Sequence, residues 1–161
     1  MIMHHGDDKG LVLPPRVARY QVVIIPVIFK DADLNALAAT AKEILKELTA
    51  AGIRVTVDDR DNYHPGWKFN HWELKGVPLR FEVGPKEVQN NEVRVVRRVD
   101  GDKLQLKRAN LAQDTTNMLE AIQKQMFDKA KQNMSNKIKT ANDWKTFMTH
   151  LNAGNAVLVP W

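Results

Sequence analysis

YQVVIIPVIFKDADLNALAATAKEILKELTAAGIRVTV, Tyr20 to Val57, is the stretch on which the fold turns. Tyr20 to Val27 is a run of mostly β-branched and apolar residues, as a central strand buried on both faces requires, and Pro26, lacking an N–H, marks its end. Asp33 can cap a helix in which Leu34, Leu37, Ala41, Ile44, Leu45 and Leu48 recur at helical spacing, and Gly52 stops it. Ile53 to Val57 follows as a second strand. Strand, helix and strand in this order predict a parallel βαβ unit with a right-handed crossover.

On the C-terminal side, Pro65 opens a short helix carrying Phe69, Trp72 and Glu73, with Gly76 at its end. In Val77 to Val83, Leu79, Phe81 and Val83 alternate with Arg80 and Glu82, the pattern of a half-buried strand. Val93 to Arg98 and Lys103 to Lys107 flank an Asp100-Gly101 turn and read as a hairpin. A longer helix starts at Leu111, with Thr115, Met118, Leu119, Ile122, Met126, Phe127 and Ala130 as its inner face. The fold class is therefore α/β: a five-stranded mixed sheet with about three surrounding helices. A short appended α/β unit follows a polar link, Asn133 to Lys139. There Thr140 begins a capping-box-like Thr-Ala-Asn-Asp, Trp144, Phe147, Met148 and Leu151 form an apolar core stripe, Gly154 stops the helix, and Ala156 to Val159 reads as a strand. On the N-terminal side, Met1 to Arg16 ends in Pro14-Pro15 and reads as a connector.

With 161 residues, 43% of them hydrophobic, the chain can bury one substantial core without staples. It has no cysteine, so disulfides and thiolate zinc sites are excluded. The longest apolar run, Val22 to Phe29, falls far short of the ~20 residues of a membrane helix, and the start has no signal-peptide pattern, so the expected location is cytoplasmic, away from membranes. The net charge of +5 is uneven: residues 1–102 carry 15 basic and 15 acidic side chains, residues 103–161 carry 9 and 4. Such an excess serves either a solvated helix face or a nucleic-acid contact.

The chemistry concentrates in DRDNYHPGWKFNHWELKGVPLRFEVGPKE, Asp59 to Glu87. Guanine offers two donors, N1–H and the N2 amine, beside acceptors at O6 and N7. A carboxylate together with Arg or Lys can read it while an aromatic ring stacks on its face. Phe69, Glu73, Arg80, Lys86 and Glu87 supply all three kinds of group. Each also has a structural reading: Glu73 as a helix carboxylate, Glu87 as a loop charge, Phe69 as core beside Trp72 one turn away. Trp67 and Trp72 are assigned to packing. Asp58, Asp59, Asp61 and His64 form the only local cluster of potential metal ligands, and they lack the spacing, glycine bend and distal Glu of a hard-cation loop. Asp59-Arg60-Asp61 is read instead as a loop fixed by hydrogen bonds and pairing to Arg60. No metal site and no catalytic residue is expected, since no phosphate loop, dinucleotide fingerprint or nucleophile with its base occurs.

GWKFNHWELKGVP, Gly66 to Pro78, followed by GPKE, Gly84 to Glu87, resembles the anticodon-binding domain of prolyl-tRNA synthetases of the eukaryote-like and archaeal type, including those fused to a glutamyl-tRNA synthetase. HGDDKGLVLPPRVA, His5 to Ala18, is similar to the link that follows the third class-defining motif of their catalytic domain. The resemblance implies a linker remnant over residues 1–17, the anticodon-binding domain over 18–134, and over 135–161 the start of a C-terminal domain, truncated before its zinc-binding part. It places anticodon-binding roles on Phe69, Glu73, Arg80, Lys86 and Glu87, with Arg98 and Lys103 as further contacts across the hairpin. Proline codons begin CC, so the cognate anticodons end in two guanines; two carboxylates and two cations match them in number and polarity. The implied partner is proline tRNA. The parent, a homodimer, would ligate proline to it using ATP and magnesium, while these residues need no cofactor and would be inactive alone as a monomeric fragment. Two other readings stand beside this one: a stand-alone factor that reuses the fold to bind RNA or protein, and a small metal-dependent enzyme built on Asp58 to His64.

Overall fold

A computed structural model describes residues 5–27 and 34–160. They form two compact units, residues 1–123 and 124–161. In the first, β1 (Gly6–Asp7) and β2 (Gly10–Leu11) make a small hairpin, and β3 (Val22–Pro26) is buried along its whole length. Helix α1 (Leu34–Ala50) leads to β4 (Val55–Val57), and α2 (Pro65–Leu74) leads to β5 (Leu79–Val83). After the short α3 (Pro85–Gln89), β6 (Glu92–Arg97) and β7 (Lys103–Lys107) form the expected hairpin. Helix α4 spans Leu111–Lys137.

The sheet order is β4-β3-β5-β6-β7, with β3 parallel to both β4 and β5 and the remaining pairs antiparallel, so the five-stranded mixed sheet is present. Its topology places the helices. The chain moves one strand outward through α1 and then back across β3 through α2, and right-handed crossovers in opposite directions put these helices on opposite faces. Helix α1 buries Leu37, Ala41, Ile44 and Leu48, with Leu45 half-buried, while its expected cap, Asp33, lies outside the described residues. On the other face, Val23, Ile25 and Val77 form a small core against Phe69 and Trp72 of α2.

Alternation along β5 assigns the two faces. Leu79, Phe81 and Val83 are fully buried, and Arg80 and Glu82 point to the α2 side. Ladder register then sets Val23, Arg80, Val96 and Lys103 side by side in one row of that face, with Ile25, Glu82, Arg94 and Gln105 in the next. Arg80 and Glu82, next to the β3 end that α2 covers, stay mostly buried, while Arg94, Lys103 and Gln105 beyond them are exposed.

The β1–β2 hairpin docks against the end of α2. Gly76 has φ +73°, a region that favours glycine, and a Cβ there would sit 2.6 Å from the Leu11 carbonyl oxygen. A Cβ on Gly10 would likewise meet the Leu74 backbone at 2.7 Å. The Leu13 N–H donates to the Gly76 carbonyl at 3.1 Å, and Arg54 donates to the carbonyls of Pro15, Arg16 and Ala18.

The second half of α4 departs from the sequence expectation. Leu111, Thr115, Leu119, Ile122 and Met126 form its buried stripe; Phe127 is 60% exposed because it lies about 120° round the helix from the centre of that stripe, and Ala130, although one turn beyond Met126 on the stripe, is exposed as well. The supposed polar link is helix as far as Lys137, since its Asn, Lys, Met and Ser residues contain neither Gly nor Pro to stop it. Then β8 (Ile138–Thr140) pairs in parallel with β9 (Ala156–Leu158) around α5 (Trp144–Asn152). Thr140 belongs to that strand, and the cap of α5 is Asp143, which accepts from the Thr146 N–H at 2.9 Å and its hydroxyl at 2.7 Å. Trp144 is not core: it is 74% exposed and stacks on Phe147 at 5.4 Å. Among the described residues, no helix is long and apolar enough to cross a membrane.

Candidate nucleic-acid interface

Helix α2 starts at Pro65, whose missing N–H costs nothing in the first turn, and its C-terminal turn presents Glu73 toward the open sheet face. Glu73, Arg80, Arg98 and Lys103, four of the seven residues singled out from sequence, line one cavity of about 230 Å³ together with Lys9 and Trp72. Phe69 is not among the lining residues; it lies against one of them, Arg80, whose guanidinium is 4.3 Å from the ring centroid. Lys86 and Glu87 do not line this cavity. They sit on α3, beyond the other end of β5, where Lys86 is exposed and Glu87 faces Arg94 at 3.5 Å.

Glu73, Arg80, Glu87 and Arg98 are already paired within the protein, with unequal strength. Arg80 donates through Nε to Glu82 at 3.0 Å, and both side chains are mostly buried, so this pair is a fixture of the sheet face. Among the described residues, the Glu73 carboxylate is ion-paired only with Lys9, at 3.6 Å and with the lysine side chain 71% exposed. Such surface pairs contribute roughly 0–1 kcal/mol, so Glu73 can exchange Lys9 for a better donor at little cost. The half-exposed Arg94 leaves Glu87 similarly exchangeable.

Arg98 is bound differently. It is buried, its Nη1 and Nη2 donate to the two Asp7 carboxylate oxygens at 2.8 and 2.6 Å, and its Nε donates to the Glu73 carbonyl at 2.9 Å. This fork, acting against a smaller opposing push from burial, holds the Asp7 pKa at about 2. Arg98 thus joins the hairpin, α2 and β6, and Lys103 remains exposed at the start of β7.

A second cluster braces α2 from below. Asp58, one residue past β4, accepts from Arg60 Nε at 2.8 Å and Nη2 at 2.6 Å and from Trp72 Nε1 at 2.7 Å, while its backbone carbonyl accepts from the buried Lys68 Nζ at 3.2 Å. Burial pushes its pKa up, but the bonds from Arg60 and Trp72 outweigh that and hold it at about 2. Arg60 therefore pairs with Asp58 rather than with Asp59 or Asp61. Trp72 packs as expected. Trp67 is 43% exposed and stacks between Tyr63, at 3.9 Å, and His71, at 4.8 Å, with Arg60 over the first two rings. Burial, with Lys75 and Arg60 adding to it, lowers the His71 pKa. Among the described residues, no group of three or more His, Asp or Glu could hold a metal ion.

Sequence reasoning missed Asp7, Lys9 and the bracing role of Asp58. For Asp58 a signal exists: alternation past Val57 puts it on the face of Thr56, whose ladder partner Val23 faces α2. For Asp7 there is none, because its partner lies 91 positions away.

Residues 21–118 match the family model described as anticodon binding domain. Over its whole length the chain is 47% identical to a cytoplasmic proline–tRNA ligase of Arabidopsis thaliana, 44% identical to a bifunctional glutamate/proline–tRNA ligase of Mus musculus and 41% identical to a proline–tRNA ligase of Methanococcoides burtonii. It spans 30%, 11% and 33% of those proteins. A match over most of the chain, on a five-stranded mixed sheet with a base-sized polar cavity on its open face, leads to one conclusion: the chain belongs to the anticodon-binding domain family.

Proposed function

We propose that this chain is the tRNA-recognition module of a proline–tRNA ligase and reads the two guanines of the proline anticodon. The observation that carries this reading is the convergence of Glu73, Arg80, Arg98 and Lys103 on one cavity beside Phe69. In it, Glu73 releases Lys9 and accepts the N1–H and N2 amine of a guanine, and Arg80 or Lys103 donates toward O6 and N7. Phe69 offers a ring face, shared with the Arg80 guanidinium. Glu87 and Lys86 offer the same pair of chemistries at the other end of β5, for the second guanine. The third anticodon base meets no matched group and is ignored.

The whole ligase, a homodimer, would couple proline to tRNA using ATP and magnesium; no residue of this chain is assigned to ATP, magnesium or proline. The name of the Arabidopsis relative supports a cytoplasmic location. The test is Glu73→Gln, which keeps the shape but turns one acceptor into a donor. Affinity for a proline anticodon stem-loop should fall about tenfold, with the guanine-over-adenine ratio at the contacted base shrinking. In a double-mutant cycle with a guanine→adenine loop, additive losses would remove Glu73 as a base reader.

A further inference from the structure

We propose that Asp7, in the β1–β2 hairpin, is a positioning residue for guanine recognition: by clamping Arg98 it sets the last turn of α2 and with it the Glu73 carboxylate. This rests on the reading of Glu73 given above.

The geometry has three links. The Asp7 carboxylate takes both terminal nitrogens of Arg98, at 2.8 and 2.6 Å, a planar two-bond contact that fixes the guanidinium in orientation as well as in place. The remaining donor, Nε, is thereby aimed at the main-chain carbonyl of Glu73, 2.9 Å away. That carbonyl lies in the C-terminal turn of α2, where a helix has acceptors without intrahelical partners and is prone to fray. It also accepts from the Gly76 N–H at 3.0 Å, so the turn bearing Glu73 is closed partly by its own chain and partly by Arg98.

The arrangement exceeds what stability alone needs. A buried arginine requires a counter-charge, but here that charge comes from the strand of a hairpin whose turn also reaches the site. Lys9 is two residues on, and its ammonium lies 3.6 Å from the Glu73 carboxylate. The Lys9 N–H bonds back to Asp7 Oδ1 at 2.9 Å, so the two hairpin residues are set by one another. Close packing of Gly10 on Leu74 and of Leu11 on Gly76 keeps the hairpin from sliding along α2. Asp7 touches no base in this scheme; it determines where the acceptor that does so is held.

The experiment measures binding of a fluorescent proline anticodon stem-loop and of the same loop with the contacted guanine replaced by adenine, at one salt concentration, to wild type, Asp7→Asn, Asp7→Glu, Arg98→Lys and Glu73→Gln. Asp7→Asn should lower the guanine-over-adenine ratio about fivefold. Asp7→Glu, which can still fork Arg98, should recover much of it. Arg98→Lys, which keeps the charge but loses Nε–H, should reproduce the Asp7→Asn defect and serves in its place if that variant does not fold. Combined with Glu73→Gln, Asp7→Asn should add almost nothing to the loss of discrimination. A residue that only stabilises the fold would reduce binding of both loops equally and leave the ratio unchanged. If Glu73→Gln lowers the ratio while Asp7→Asn and Arg98→Lys do not, the positioning role is overturned alone. If Glu73→Gln itself leaves the ratio at the wild-type value, the reading of Glu73 falls and this inference with it.

Discussion

The Phe69 ring and the Arg80 guanidinium lie 4.3 Å apart, and the same guanidinium is tied to Glu82 at 3.0 Å. The aromatic face is therefore backed by a cation that cannot swing away, and the ring packs beneath on Val23, Ile25 and Val77. The sequence left Phe69 open between stacking surface and core, and in the structure its ring packs on a small core and carries the Arg80 guanidinium.

Phe69→Leu separates these two functions. Most of the apolar volume remains, so the melting temperature should fall only slightly, while loss of the ring should weaken stem-loop binding by on the order of 1 kcal/mol. Fluorescence anisotropy beside thermal denaturation checks this. A large loss of stability with unchanged affinity in the folded fraction would assign the residue to the core alone.

Asp58 makes stability depend on acid in a definite direction. Its pKa is about 2 in the folded protein against 3.8 for the free group, so its contribution is complete above pH 3.8 and is lost as pH falls through about 2. The amount is on the order of 2 kcal/mol. Asp7 titrates with the same sign, so the contribution of Asp58 is the difference between wild type and Asp58→Asn. Urea unfolding at pH 7 and pH 3 should show the variant less stable at pH 7 by about 1–3 kcal/mol, with a shallower decline toward acid.

Two glycines of the central motif should respond oppositely to alanine. Gly76→Ala places a Cβ 2.6 Å from the Leu11 carbonyl at φ +73°, so both backbone strain and hairpin displacement are incurred. The cost should reach about 2 kcal/mol or more. Gly66, in the first turn of α2, has open space within 4 Å of where a Cβ would stand, so it should tolerate alanine and gain up to about 1 kcal/mol from helix propensity. Chemical denaturation of the two variants decides it.

Lys86 and Lys103 are both exposed, and alanine at either separates phosphate binding from base reading. If the lysine holds a phosphate, its removal should weaken cognate and mutant loops alike and reduce the slope of log K against log salt by about 0.7. If it reads a base, its removal should instead change the guanine-over-adenine ratio at nearly constant slope. Salt titrations of both variants with both loops distinguish the roles.

Local pattern was enough to specify the sheet and the helices that cross it. The β-branched run at Val22 to Ile25, the helical recurrence at three and four residues through Leu37, Ala41, Ile44 and Leu48, and the alternation of Leu79, Phe81 and Val83 each encode a face within a few neighbouring residues. The same pattern put Arg80 on the opposite face from Phe81, and GWKFNHWELKGVP carried the family. What the tertiary structure alone decided was pairing across long separations: Arg98 with Asp7, Asp58 with Trp72, Glu73 with Lys9. Hydrogen-bond complementarity leaves no periodic trace in a sequence with 19 acidic and 24 basic residues, any of which could combine. Tertiary structure also decided the fate of Phe127 and Trp144, because an apolar residue is drawn inward only where a neighbouring surface exists to cover it. Residue order thus determined which groups this protein has and which face each occupies; folding determined that Arg98 bridges Asp7 and the Glu73 carbonyl while the Glu73 carboxylate meets the exposed Lys9.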